Sequence, residues 1–457
     1  DGRSERSAAR PLAALAAVLL VCTQLGEATA TSAVDTRQRL THLDDYATWG
    51  ARQARQAETI AEADGWPRYR TDPGQEQTVG NDPLMVGGQG AQYYSSLTSD
   101  VLSRTLTALG GGWTSRGRNV QSLDNAVADA IFSVGARVHS PPDPHQNWFP
   151  QDGSRVTATR QDVPPLVTVR PPGRVRTGVS AFGPSPYRNQ ELLLGTRVYT
   201  VPRLTVRTAA GRKPSRSEDE RPGLLVEALP RATAARKPTV TGSCPAGDEV
   251  YLWAPHFAGT ARLAGASAHG PTGRFRSDHP VTQIAPMQRL GTVAASGRFR
   301  IDLSPNRPSL VPDGAVGCLD TARLRTAVER LKDTGATRVS VSDGTVRAEL
   351  PAGSKGIAVV AAPRIAGWRC AAGDAPAVPA RNHYGLIAVP LDGSATSVTC
   401  TFRPPGLRLG AVAAGASLTA LILLSTVGAV RRRRSPTAAA AHPDHHPTAP
   451  ERMTAAL

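Results

Sequence analysis

The 457-residue chain is 40% hydrophobic and 20% charged and carries a formal net charge of +16 at pH 7. That length and apolar content exclude an intrinsically disordered chain and suffice for two packed units. The positive balance does not point to nucleic acid, because every one of the 53 basic residues except Lys213, Lys237, Lys332 and Lys355 is arginine, spread along the chain among acidic residues; they line no single helix face and do not alternate with stacking aromatics.

In chain order, residues 1–10 carry Arg3, Arg6 and Arg10 ahead of an apolar stretch over 11–25 and a small-residue run over 26–34. Two readings stand. One is a cytoplasmic flank at 1–10 and a membrane helix at 11–33 inside a longer protein. The other is a cleavable signal peptide ending at an Ala-Thr-Ala or Thr-Ser-Ala site. The start at Asp1 rather than Met favours the first.

Residues 34–140 read as a small α/β unit. A polar helix is expected over 51–64, and a helix capped by Thr98 or Ser99 ends at Gly110. A third helix over 123–133 delivers a buried strand over 134–138. Residues 141–240 form a connecting region broken by Pro141-Pro142, Pro164-Pro165 and Pro171-Pro172, in which the polar stretch 211–238 is expected to be a loose loop. From 241 to 406 short alternating runs predict a β-sandwich-like domain, with strands over 249–253, 281–285, 298–303, 338–342, 345–350, 357–361, 384–389 and 397–402. Asp343-Gly344 is a two-residue hairpin turn. A helix capped by Asp320 and stopped by Gly335 interrupts the strands.

Residues 409–430 are uncharged for longer than the roughly 20 residues a bilayer requires, and Arg431, Arg432, Arg433 and Arg434 follow at once. A span over 407–430 with those arginines on the cytoplasmic side places 34–406 outside. The fold class is thus a membrane protein with an α+β extracytoplasmic region flanked by two transmembrane helices. Residues 431–457 make a basic, disordered tail, and neither His442, Asp444, His445 and His446 in it nor the Asp44-Asp45 pair is assigned a metal.

Cys244, Cys318, Cys370 and Cys400 fall in the exterior segment, where disulfides persist. Four cysteines allow three pairings. Neighbouring predicted strands favour Cys244 with Cys318 and Cys370 with Cys400, against an alternative of four free thiols. No C-x-x-C spacing marks a zinc or redox site.

Several ordered blocks resemble the YfhO-type family of bacterial polytopic membrane proteins. The first group is Tyr69-Arg70, Asn81-Asp82-Pro83-Leu84, Gly87-Gly88, Tyr93-Tyr94-Ser95-Ser96 and Leu109-Gly110. The second group is residues 361–368, residues 382–391 and Phe402-Arg403-Pro404-Pro405-Gly406-Leu407-Arg408-Leu409-Gly410. The resemblance spans about 11 to 434. It implies a GT-C-like glycosyltransferase of the cell membrane, multi-pass in full-length form, that moves sugar from a polyprenyl-phosphate donor onto an envelope polymer of teichoic-acid type. The upstream helices and the acidic catalytic loop of that family lie outside this sequence, so no catalytic residue is assigned and the fragment itself is expected to be non-catalytic.

Within the blocks, Arg68, Arg70, Asn81, Asp82, Tyr93, Tyr94 and Ser95 are the candidate substrate-binding residues: arginine pairs with phosphate and tyrosine stacks on sugar. The competing role is an Arg–Asp ion pair that merely fixes the outer unit. Trp368 reads as a core residue rather than a sugar platform. The expected partners are the lipid bilayer, a polyprenyl-phosphate-linked sugar and an envelope polymer, with no cofactor, metal or nucleic acid. The alternative is a single-pass surface protein with a disulfide-bonded, β-rich binding or adhesive ectodomain.

Overall fold

The structure, a computed structural model, describes residues 2–39, 51–74, 81–95, 99–139, 156–171, 181–217, 223–228, 236–265, 271–278 and 281–434. Asp44-Asp45, Ser96 and the tail beyond Arg434 lie outside these residues. The chain divides into two compact units, Asp1–Phe402 and Arg403–Leu457.

Among the described residues, each unit contains one helix long and apolar enough to cross a membrane. In the first, helix Gly2–Arg39 carries the apolar stretch Leu15–Val34; in the second, helix Leu407–Arg434 carries Leu407–Val430. Twenty residues at about 1.5 Å each span about 30 Å, the thickness of a bilayer's hydrocarbon. Neither stretch is buried, and Leu20, Leu25, Leu409 and Leu424 are all more than 60% exposed. Residues 409–430 are uncharged on every side, whereas Leu15–Val34 carries Glu27 with Thr23, Thr29, Thr31 and Ser32; the exposure of both suits a helix meeting lipid rather than a core.

The rest of the first unit is rich in antiparallel sheet. Near its start, strand Arg70–Asp72 runs parallel to Val134–His139, which pairs antiparallel with Thr157–Arg160. Helix Ala51–Ala63 covers this small sheet, with Ile60 meeting Val86 and Val138. Tyr69 explains two glycines here, since a Cβ on Gly65 or Gly135 would lie 2.1 or 2.5 Å from its ring.

Two pairs of sheets follow, where the sequence suggested one sandwich. The first pair joins a five-stranded sheet to a four-stranded one. Its core includes Val240, Leu252, Phe257, Leu290, Ile301 and Val316. Strand Arg298–Pro305 shows why: Phe299, Ile301, Leu303 and Pro305 are buried while their neighbours are not, the period-two pattern of a strand with one face inward. The second pair holds five and four strands around Val346, Ala358, Val360, Ile387 and Val398. Helices Ala126–Phe132, Pro186–Leu194 and Thr321–Asp333 pack against both pairs through a third core that contains Val127, Leu193, Tyr187, Tyr251 and Val328.

Strands from the expected connecting region belong to these sheets. Tyr199–Thr200 pairs with Val316–Leu319, Thr205–Arg207 with Thr239–Ser243, and Val167–Arg170 with Lys355–Pro363. The loose loop expected over 211–238 is corrected in part, because Leu224–Val226 pairs with Ser309–Val311. The strand expected over 281–285 is also corrected. Ile284 makes only an isolated bridge to Trp113, and the strand lies further on, at Gln288–Thr292. Proline at Pro286 lacks an N–H and delays ladder pairing until after it.

Several local expectations match the structure. Ser99 caps its helix by accepting from the Leu102 N–H at 3.3 Å, Gly110 follows with φ +95°, and Asp320 accepts from the Arg323 N–H at 2.9 Å. Asp343 and Gly344 both have positive φ between the paired strands Arg338–Ser342 and Thr345–Glu349. Gly335 ends its helix for a different reason than expected. Its φ is not left-handed; a Cβ there would lie 2.6 Å from Pro165 and 2.8 Å from the Leu331 carbonyl.

Both expected disulfides form. Cys244 follows a strand of the five-stranded sheet and Cys318 sits in the four-stranded one, so that bond ties two sheets together. Cys370 and Cys400 face each other in register within one sheet.

Candidate functional site

A cavity of about 400 Å³ opens in the N-terminal part of the first unit, between strands Arg70–Asp72 and Val134–His139, helices Asp100–Ala108 and Ala126–Phe132, and the segment after helix Asp82–Val86. Ala361 and Pro363, from the long strand of the second sheet pair, complete the wall. Leu102, Leu106, Leu123, Phe132 and Val134 make it largely apolar.

The rim is held in place by backbone. Gln89 and Thr71 bond in both directions: the Gln89 N–H donates to the Thr71 carbonyl at 2.7 Å, and the Thr71 N–H donates to Gln89 Oε1 at 3.0 Å. Such a close approach requires glycine beside it. Gly88 has φ +85°, and a Cβ there would lie 2.6 Å from the Thr71 carbonyl.

One wall carries a buried ionic network. Arg137, 5% exposed, lies 3.2 Å from Asp72 Oδ2 and donates to Asp129 Oδ1. Its side chain also donates to Ser122 Oγ at 2.6 Å and to the Leu123 carbonyl at 3.1 Å, while Asp124 stands 3.5 Å away. Asp72 accepts from Ser122 Oγ and from the Gly74 N–H. Asp129 accepts from Gln161 Nε2 at 2.6 Å. One guanidinium therefore faces two buried carboxylates. Burial pushes Asp129 up to about 7, against the pull of Arg137, and Asp124 and Asp72 add to the rise. Burial opposes the charge on Arg137, but Asp129, Asp72 and Asp124 outweigh it and hold the guanidinium above its ordinary range.

Arg70 lines the same cavity and, among the described residues, has no such carboxylate partner. Its Nη1 donates to the Phe132 carbonyl at 2.6 Å, at the C-terminal end of a helix where a cation is favoured, and the guanidinium sits 5.6 Å from the Trp66 ring centre. Burial lowers its pKa to about 10.

The candidate residues from the sequence thus separate. Arg70 is in the wall, whereas Arg68 is exposed and lies over the Tyr69 ring at 5.2 Å. Asn81 is half-buried and precedes the short helix Asp82–Val86. Tyr93 and Tyr94 pair as backbone with Val120 and Asn119, and the Ser95 N–H donates to the Arg118 carbonyl at 2.9 Å. Trp368 packs against the second sheet-pair core, 5.4 Å from Phe402.

Asp72, Asp129 and Arg137 were not singled out from the sequence. The signal was present: Asp129 interrupts the apolar AVADAIF helix and Arg137 the apolar VGARVH strand, positions where a charge must be paired.

A second buried cation sits elsewhere. Arg170, 8% exposed, donates from Nη1 to the Leu193 carbonyl. Burial, aided by the charge of Arg170, lowers His383 to about 4. His383 is edge-on to Tyr384, which stacks on Phe182 and has φ +52°.

No family model matches the chain, and no curated protein matches it. Two solved structures resemble part of it. Phpd with cadmium complexed with hydroethylphosphonate is 9% identical, with a TM-score of 0.13 over 48% of this chain and 80% of that one. Native PhpD with cadmium atoms is 8% identical, with the same TM-score and coverage. A TM-score of 0.13 lies far below that of a shared fold.

Proposed function

We propose that this chain is the closing part of a polytopic, YfhO-type membrane protein, serving the transfer of sugar from a polyprenyl-phosphate donor to an envelope polymer. Its sheet-rich region stands outside the cell and orients the acceptor or caps the membrane active site. It does not itself perform the transfer. The observation that carries this reading is a disulfide-bonded, sheet-rich region placed in sequence between two apolar helices of bilayer length. Such disulfides suit an oxidising exterior, and the arginines Arg431 to Arg434 suit an inner-face exit from the last helix. The ordered sequence blocks supply the glycosyltransferase part of the proposal.

Reading the coding sequence upstream of Asp1 tests it. Further membrane helices there, followed by loss of a sugar from the envelope polymer when the gene is deleted, are the expected results. An upstream region without such helices overturns the glycosyltransferase reading.

One observation favours a second reading. The cavity beside Arg70 suits a binding ectodomain, so a single-pass surface protein with a ligand-binding role is the alternative. A mature terminus found near Ala33 to Asp35 by N-terminal sequencing would select it over the first.

A further inference from the structure

We propose that the cavity walled by Arg70 binds a small organic anion with an apolar body, its carboxylate or phosphate monoester head on the Arg70 guanidinium and its hydrocarbon against Leu102, Leu106 and Phe132. The inference stands on the cavity and not on the membrane or glycosyltransferase readings.

Volume is the first argument. About 400 Å³ falls within the range of small-molecule sites, roughly 300–1,000 Å³. The lining is the second. Apolar side chains dominate it, and Leu84 stands beside the opening 80% exposed, a large apolar surface that a bound hydrocarbon would cover.

Charge decides the head group. Although two carboxylates line the cavity, both oxygens of each are engaged: those of Asp72 by Gly74, Ser122 and Arg137, and those of Asp129 by Arg137 and Gln161. A ligand cation would have to break that network. Arg70 has five N–H donors, of which the structure commits one, to Phe132. Among the described residues no carboxylate forms an ion pair with it, and burial is the one influence that shifts its titration. A half-buried guanidinium with donors to spare at the wall of an apolar cavity recruits an anion, and its planar fork suits carboxylate or phosphate. The rim is already pinned by the Thr71–Gln89 pair, so little ordering opposes binding.

The test is calorimetric titration of the whole chain, held in nanodiscs of phosphatidylcholine, with 1-naphthyl phosphate, 2-naphthoate, 1-naphthol and inorganic phosphate. Saturable binding of naphthyl phosphate or naphthoate, at least tenfold tighter than naphthol and than inorganic phosphate, is the expected result. The tighter of the two anions identifies the head group. Arg70→Met should weaken that anion at least tenfold and Arg70→Lys less. Because Arg70 also bonds the end of a helix, Leu84→Glu is the second variant. It changes an exposed side chain beside the opening and should weaken the anion several-fold while leaving the thermal unfolding profile unchanged. Equal affinity for naphthol, unchanged binding by both Arg70→Met and Leu84→Glu, or no saturable binding by the unmodified chain overturns the proposal.

Discussion

Arg137 is buried with two carboxylates on it, so removing its charge strands them in a low-dielectric wall. Breaking a buried pair by deleting one partner costs about 3–5 kcal/mol, far above the roughly 0–1 kcal/mol of a surface pair. Arg137→Met should therefore destabilise strongly in chemical unfolding, whereas loss of the exposed pair between Arg216 and Asp313 should be hard to measure. Asp129 and His383 make opposite contributions to the pH dependence. Asp129 is raised from 3.8 to about 7, so between these values the native state keeps a proton that the unfolded chain has lost, and stability falls as pH rises across the window. His383 is lowered from 6.5 to about 4, so the unfolded chain binds the extra proton and stability rises over that interval. Relative to the unmodified chain, thermal unfolding between pH 4 and 7 should show a steeper rise of stability with pH in Asp129→Asn and a steeper fall in His383→Gln. A third residue-scale prediction concerns Gly317, where a Cβ would lie 2.4 Å from the fully buried Tyr187 ring. Gly317→Ala should cost about 1–3 kcal/mol through overpacking, read from the same unfolding curves.

Among the elements, the two disulfides differ in what they constrain. The bond between Cys370 and Cys400 closes 30 residues within one sheet, and that between Cys244 and Cys318 closes 74 residues across two sheets. Loop entropy assigns roughly 3–4 kcal/mol to the first and roughly 4–5 kcal/mol to the second. Double Cys→Ser variants should lose stability in that order, and alkylation without reductant should find all four thiols blocked in the unmodified chain. What the sequence revealed at this scale depended on signals confined to a few residues. The helix caps Ser99 and Asp320, the Asp343-Gly344 turn and the alternation in Arg298–Pro305 are each written within a short window, and each appears where expected. The strand Leu224–Val226 was missed because its partner Ser309–Val311 lies far along the chain and polar residues surround it. For the same reason one sandwich was expected and two sheet pairs are found. Periodicity shows that a strand buries one face but does not say which other strand it joins. Arg70, singled out through a block that resembles the YfhO-type family, lies in the cavity wall, while the Asp72–Arg137–Asp129 network required strands distant in sequence to meet.

For the whole molecule, we propose that the sheets stand outside a membrane that the last helix crosses towards the inside. Composition made both apolar helices legible, because a long run of predominantly apolar residues needs no tertiary partner to be recognised. Sidedness rests on the arginines after that helix. Labelling with a membrane-impermeant maleimide in intact cells tests it most directly, using a chain in which Cys22→Ser removes the free thiol and one new cysteine is introduced, either Ser342→Cys beside the exposed hairpin turn or Ala440→Cys after the arginines. The account predicts that Ser342→Cys is labelled in intact cells and Ala440→Cys only once the membrane is permeabilised. Labelling of Ala440→Cys alone in intact cells would contradict it.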